Sequence, residues 1–170
     1  MTIIGTPASF AIRYAVNPTD GFSRWMNGRF CYIIENFEVG DYNEGTSLGS
    51  VQLQCKTILE NKGLRWDSEL WEWTSEQVFS FLYHKLFKDD DRSDEEVVSD
   101  ERRYLKHLAI PNAGEVFYNC MAFIIDGTEY SRFIYKIDSD EDSTVLEAHL
   151  SVGEFDQTIL KFISELNDLR

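Results

Sequence analysis

Apolar and polar residues alternate from Ala8 to Val16. Phe10, Ile12, Tyr14 and Val16 point one way, and Ala11, Arg13 and Ala15 the other. A period of two predicts a half-buried strand. Asn17-Pro18-Thr19-Asp20-Gly21 is a turn cluster, after which Phe22 to Ile34 reads as a second strand that pairs with the first. Within it Phe30, Tyr32 and Ile34 alternate with Arg29, Cys31 and Ile33. Glu35-Asn36 reverses the chain, and Phe37 to Val39 returns as a short third strand. Gly40-Asp41-Tyr42 breaks the pattern. Gly45 offers a position of positive φ, and Thr46 or Ser47 can cap a helix.

The period then changes. From Ser47 to Lys62, Leu48, Val51, Cys55, Ile58 and Leu59 recur at three and four, and Asn61-Lys62-Gly63 stops the helix they predict. Leu64 to Trp73 carries Trp66, Trp71 and Trp73 among charges, either as cover for the core or as an interface cluster. Thr74 with Gln77 forms a capping box for a second helix, whose apolar face is Val78, Phe79, Leu82 and Leu86. Lys88 to Glu101 shows no apolar period, and reads as a flexible acidic loop or an interaction segment. Arg102 to Ile110 fits a short helix or an irregular strand. Val116 to Ile125 and Thr128 to Ile137 read as strands joined by a two-residue Asp126-Gly127 turn. Thr144 to Ser151 is a further strand. Ser151 and Glu154 suggest a capping box for a last helix with Phe155, Ile159, Phe162, Ile163 and Leu166 on one face.

The sum is an α+β fold: a mainly antiparallel sheet of about six strands with three helices packed on it. The 170 residues suit one domain over 1–170, with a flexible acidic segment near 88–101. A chain of this length buries a core large enough to need no covalent staples.

Charge narrows the partners. Thirty Asp and Glu against 16 Lys and Arg give a net charge of −14. That disfavours direct binding of nucleic acid phosphates or of an anionic membrane, and suits a basic partner. Acidity also keeps a protein soluble without further meaning. Cys31, Cys55 and Cys120 are odd in number and widely spaced, so they read as reduced, buried thiols. The N-terminus lacks a secretory signal, and no run is long and apolar enough for a membrane helix, which points to the cytoplasm.

Catalytic and metal motifs are missing. His84, His107 and His149 lack the spacing of zinc ligands, and there is no nucleophile elbow or phosphate-binding loop. Asp138, Asp140 and Asp142 begin like a calcium loop. Ser143 then stands where that loop needs Gly, and His149 where it needs Glu. Cys31 reads as a structural thiol rather than a nucleophile, and Asp41 as an acceptor of backbone N–H groups in its own turn. No cofactor or metal site is expected.

The stretch G-R-F-C-Y-I-I (28–34) followed by V-G-D-Y-N-E-G-T-S-L (39–48) resembles the immunity protein 42 family of bacterial polymorphic toxin systems. The match includes Gly5, Pro7, Phe10, Ala11 and Ile12 near the start, and Gly153, Glu154 and Phe155 near the end. Thr6 and Ile33 depart from it, standing where an acidic and an aromatic residue are expected. The resemblance implies a small cytosolic protein that neutralises one toxin by binding it. On that reading Asp89, Asp90, Asp91, Asp94, Glu95 and Glu96 meet Lys and Arg on a cognate toxin domain, with a nuclease as one candidate, and Trp71 and Trp73 supply buried anchors. The mechanism expected is occlusion of the toxin's active site. The alternatives are an acidic ligand- or cation-binding regulatory module, or a small hydrolase using Asp41 or Cys31.

Overall fold

The computed structural model describes residues 1–17, 26–88, 91–137 and 143–169. The alternating segments form strands, but in two antiparallel sheets rather than one. The first holds β1 (Thr2–Gly5), β2 (Phe10–Val16), β3 (Asn27–Ile34) and β4 (Phe37–Val39) in that order, with β5 (Gly45–Ser47) also paired to β3. The second is β6 (Met121–Asp126), β7 (Tyr130–Lys136) and β8 (Leu146–Ser151). Among the described residues there are five α-helices: α1 (Leu48–Glu60), α2 (Ser68–Glu72), α3 (Ser75–Phe87), α4 (Asp94–Tyr104) and α5 (Glu154–Asp168). None is long and apolar enough to cross a membrane.

One main core fills the space between the sheets. Phe10, Ile12, Phe30, Tyr32 and Ile34 from the first sheet meet Ile124, Phe133, Tyr135 and Leu150 from the second, closed by α1 and by Phe155, Ile159, Phe162 and Leu166 of α5. The Tyr32 hydroxyl crosses this core to donate to the Ala109 carbonyl at 3.2 Å. The second sheet is covered on its other face as well. There Phe123, Ile125 and Ile134 pack against Leu70, Val78, Phe79 and Leu82 of α2 and α3, forming a second core with Tyr104. Burial on both faces explains why β6 and β7 read as nearly unbroken apolar runs.

Several local expectations are corrected. The strand placed at Phe22 to Ile34 starts at Asn27 among the described residues, and Pro18 to Trp25 lie outside them. The strand placed at Val116 starts at Met121, because Gly114–Phe117 forms a 3-10 turn. The hairpin at Asp126-Gly127 has a four-residue loop, since Asp126 pairs with Ser131. The loop packs closely on Trp71: a Cβ on Gly127 would stand 2.3 Å from Trp71 Cη2, so this position has no room for a side chain. Positive φ falls at Gly40 (99°), whose Cα faces the Phe117 ring, and Gly45 is an ordinary strand residue. Glu154 accepts from the Ser151 backbone N–H, but Gly153 is the N-cap of α5 and the reciprocal bond is missing. A helix, α4, occupies much of the segment read as a flexible acidic loop or an interaction segment.

Candidate functional site

α4 forms without an apolar face because its ends and its ion pairs hold it. The Ser93 side chain accepts from Glu96 N–H, and Glu96 reaches back to Ser93 N–H, completing a capping box. Asp94, Glu95 and Glu96 occupy the first turn and Arg102 and Arg103 the last, each complementing the helix dipole. Arg92 ties α4 to the end of α3. Its Nη1 bonds to Asp100 at 2.7 Å and to the Lys85 carbonyl at 3.1 Å; its Nη2 bonds to the carbonyls of His84 and Lys88. Lys85 Nζ also reaches Asp100, at 3.0 Å. Burial alone would raise the Asp100 carboxyl, but hydrogen bonds from Lys85 and Arg92 outweigh it and hold the group below its usual range. Glu96 is lowered by the Ser93 backbone N–H it accepts from.

Of the acidic residues singled out in the sequence, Asp91, Asp94 and Glu95 are exposed at this tip. Glu96 is exposed but engaged in the cap. Asp89 and Asp90 lie outside the described residues, as do Asp138, Asp140 and Asp142.

The two tryptophans are not gathered at the acidic tip. Trp73 packs edge-on against Phe81 at 5.1 Å, and Phe81 in turn against Tyr104 at 5.1 Å, at the far end of α4. It borders a shallow groove with Glu76, Gln77, Ser80, Phe81 and His84. Trp71 faces elsewhere, between Trp66 at 5.5 Å and Tyr130 at 5.2 Å. Both rings are half-buried and rest on the second core. Covering the core and remaining partly open are therefore compatible roles.

Beneath them lies a residue that sequence reasoning missed. Arg132, on β7, is buried. Its Nη1 donates to the carbonyls of Leu70, Trp71 and Trp73, which end α2, at 3.2, 2.9 and 3.0 Å. Its Nε and Nη2 form a bidentate pair with Glu147 at 3.0 and 2.8 Å. Burial alone would raise the Glu147 carboxyl, but bonds from Arg132, Ser75 and His149 bring it down to about 2. The only signal in the sequence is a charge in the middle of an alternating strand.

The other chemistry considered is structural. Asp41 accepts the Asn43 N–H at 2.8 Å, as an Asp in a turn does. Cys31, Cys55 and Cys120 are buried and form no disulfide among the described residues. Burial pushes the Cys31 thiol up to about 11, and the Cys55 thiol further, so neither is a ready thiolate. Among the described residues, no three His, Cys, Asp or Glu side chains gather as metal ligands.

Compared with protein families, the chain matches immunity protein 42 over residues 1–165. No curated protein sequence matches it. Among solved structures it is similar to the crystal structure of CdiI from Burkholderia dolosa AUO158. The TM-score is 0.72 at 18% identity, over 96% of this chain and 99% of that one, a likeness of fold.

Proposed function

The chain belongs to the immunity protein 42 family and, as an immunity protein, neutralises a toxin; we propose that it does so in the cytoplasm by stoichiometric binding over the toxin's active site, without a chemical step of its own. The whole chain acts as one domain in this reading. The similarity to CdiI supports a place in contact-dependent growth inhibition. The observation that carries the occlusion mechanism is the tip of α4. Asp94 and Glu95 stand exposed in the first turn of a helix fixed by Arg92, and Asp91 is exposed just ahead of it, within a chain of net charge −14. A nuclease cleft is basic because it must hold phosphates, so a rigid row of carboxylates competes for the same place.

Co-expression with a cognate toxin domain is the direct test. Rescue of growth and a co-purifying 1:1 complex are expected; no rescue and no complex would reject the reading. Asp91→Asn, Asp94→Asn and Glu95→Gln combined should slow association roughly tenfold at low salt and flatten its salt dependence, with the melting temperature little changed. Unaltered association kinetics would leave the tip as plain solvated surface and move the contact elsewhere.

A further inference from the structure

Four rings form a continuous strip on a part of the surface distinct from the α4 tip. Trp66 lies 5.5 Å from Trp71, Trp71 lies 5.2 Å from Tyr130, and Tyr130 stacks on His149 at 4.1 Å with planes 26° apart. They come from three separate places in the chain: the entry and body of α2, the end of the β6–β7 loop, and β8. Trp66 is 50% exposed, the His149 side chain 57%, and the two rings between them are half-buried.

The strip is held in place from behind. The Gly127 backbone lies against the Trp71 ring, leaving no room for a Cβ. The Arg132 guanidinium sits 5.8 Å from the centre of the same ring while bonding the carbonyls that end α2. Rings fixed in this way lose little freedom when a partner covers them. Core packing does not require the outer ring: Trp66 is not among the residues of either core.

The segments that carry the strip are mostly of one charge sign. The segments that carry it, 64–73, 126–132 and 146–151, contain the carboxylates Asp67, Glu69, Glu72, Asp126, Glu129 and Glu147 and two arginines. Both arginines are buried and paired, Arg65 with Asp156 and Arg132 with Glu147. Charge that reaches solvent from these segments is therefore acidic, His149 aside. Aromatic faces ringed by carboxylates suit a guanidinium or ammonium group: the ring face attracts the cation, and the carboxylates take its N–H groups. A polyanion would be repelled, and a purely apolar partner would leave the rim carboxylates desolvated and unpaired.

We infer that the Trp66–Trp71–Tyr130–His149 strip is the anchoring surface for a basic, arginine- or lysine-bearing segment of the toxin domain. This rests on the immunity reading and adds a second contact to the α4 tip. The two lie at opposite ends of α3, whose 13 residues span roughly 20 Å at 1.5 Å per residue. That separation fits within a single protein interface of standard size.

The test uses the full chain and the purified toxin domain, with association and dissociation followed at low and moderate salt. Trp66→Ala should raise the dissociation rate roughly 30-fold, as truncation of an interface hot spot does. The melting temperature should hold, because the ring lies outside both cores. Glu69→Lys with Glu129→Lys, both at exposed positions, should weaken binding at least as much at low salt and supplies the test even if Trp66→Ala folds poorly. Wild-type binding matched within twofold by both variants would overturn the inference and leave the immunity reading intact. Sensitivity to Trp66→Ala without sensitivity to the charge reversals would overturn the cationic partner. If the wild type neither binds nor protects, the immunity reading fails and this inference with it.

Discussion

Arg65 has no exposed surface, yet it carries a full charge into the core. Its Nη2 bonds to Asp156, its Nε faces Asp126 at 3.7 Å, and the Phe155 ring lies 5.4 Å from the guanidinium. A buried charge is tolerable only with such partners; losing one of them typically costs about 3–5 kcal/mol. His107 solves the same problem by staying neutral. It has no exposed surface, its Nδ1 meets the Ile124 carbonyl at 3.0 Å, and burial pushes its pKa down to about 4. An unfolded His takes up its proton near pH 6.5. The native state thus binds fewer protons than the unfolded chain between those values, and stability falls as pH drops from 6.5 towards 4. The full loss is about 3 kcal/mol at 1.36 kcal/mol per pKa unit. Glu147, held at about 2, acts in the same direction further down: its contribution is present above its ordinary value of 4.5 and is lost as pH falls towards 2. Urea unfolding of the wild type and His107→Gln at pH 7.5, 5.5 and 4.5 checks the first effect. The substitution should flatten the slope between pH 6.5 and 4; an unchanged slope would assign it to other groups.

Elements differed in how well the amino-acid pattern announced them. α5 was legible to within a few residues, because Phe155, Ile159, Phe162, Ile163 and Leu166 recur on one face and all are buried. Phe155→Ala or Phe162→Ala should therefore cost about 3–5 kcal/mol, read from the urea midpoint. A loss below about 1 kcal/mol would contradict the packing described. α1 and α3 were legible for the same reason, helped by the caps at Ser47 and Thr74. α4 was not, because period-based reading looks for an apolar stripe, and this helix depends on Ser93, on charges that suit its dipole, and on Arg92 gripping the end of α3. The division into two sheets was also hidden. β6 and β7 are buried on both faces and carry no mark of which sheet they join, so β6 to β8 read as a continuation of β1 to β4. The exposure of Asp91, Asp94 and Glu95 could be read from composition; the parting of Trp71 from Trp73 could not, because it depends on Arg132 and Gly127, some 60 positions away.

At the scale of the molecule, the main core and the surfaces proposed as contacts belong to different parts of a layered body. The first sheet with α1 and α5 builds the main core, and the stretch most like the immunity family, 28–48, lies in that part. Its residues shape the fold: Phe30 and Tyr32 are buried, and Gly40 admits the Phe117 ring. The second core and the helices on it carry the two surfaces proposed as contacts, the α4 tip and the strip led by Trp66.

The three enclosed thiols have a consequence for watching this protein at work. Cys31 and Cys55 show no exposed surface and Cys120 only 8%. A water-borne disulfide reagent therefore has nothing to attack until the layers part, and its uptake becomes a stopwatch for breathing of the core. Labelling of the folded chain should be slow and independent of reagent concentration once the reagent is abundant, and it should slow further in the complex if the partner clamps the body shut. Rapid labelling of even one thiol in the native chain would mean that the core opens far more often than its packing implies.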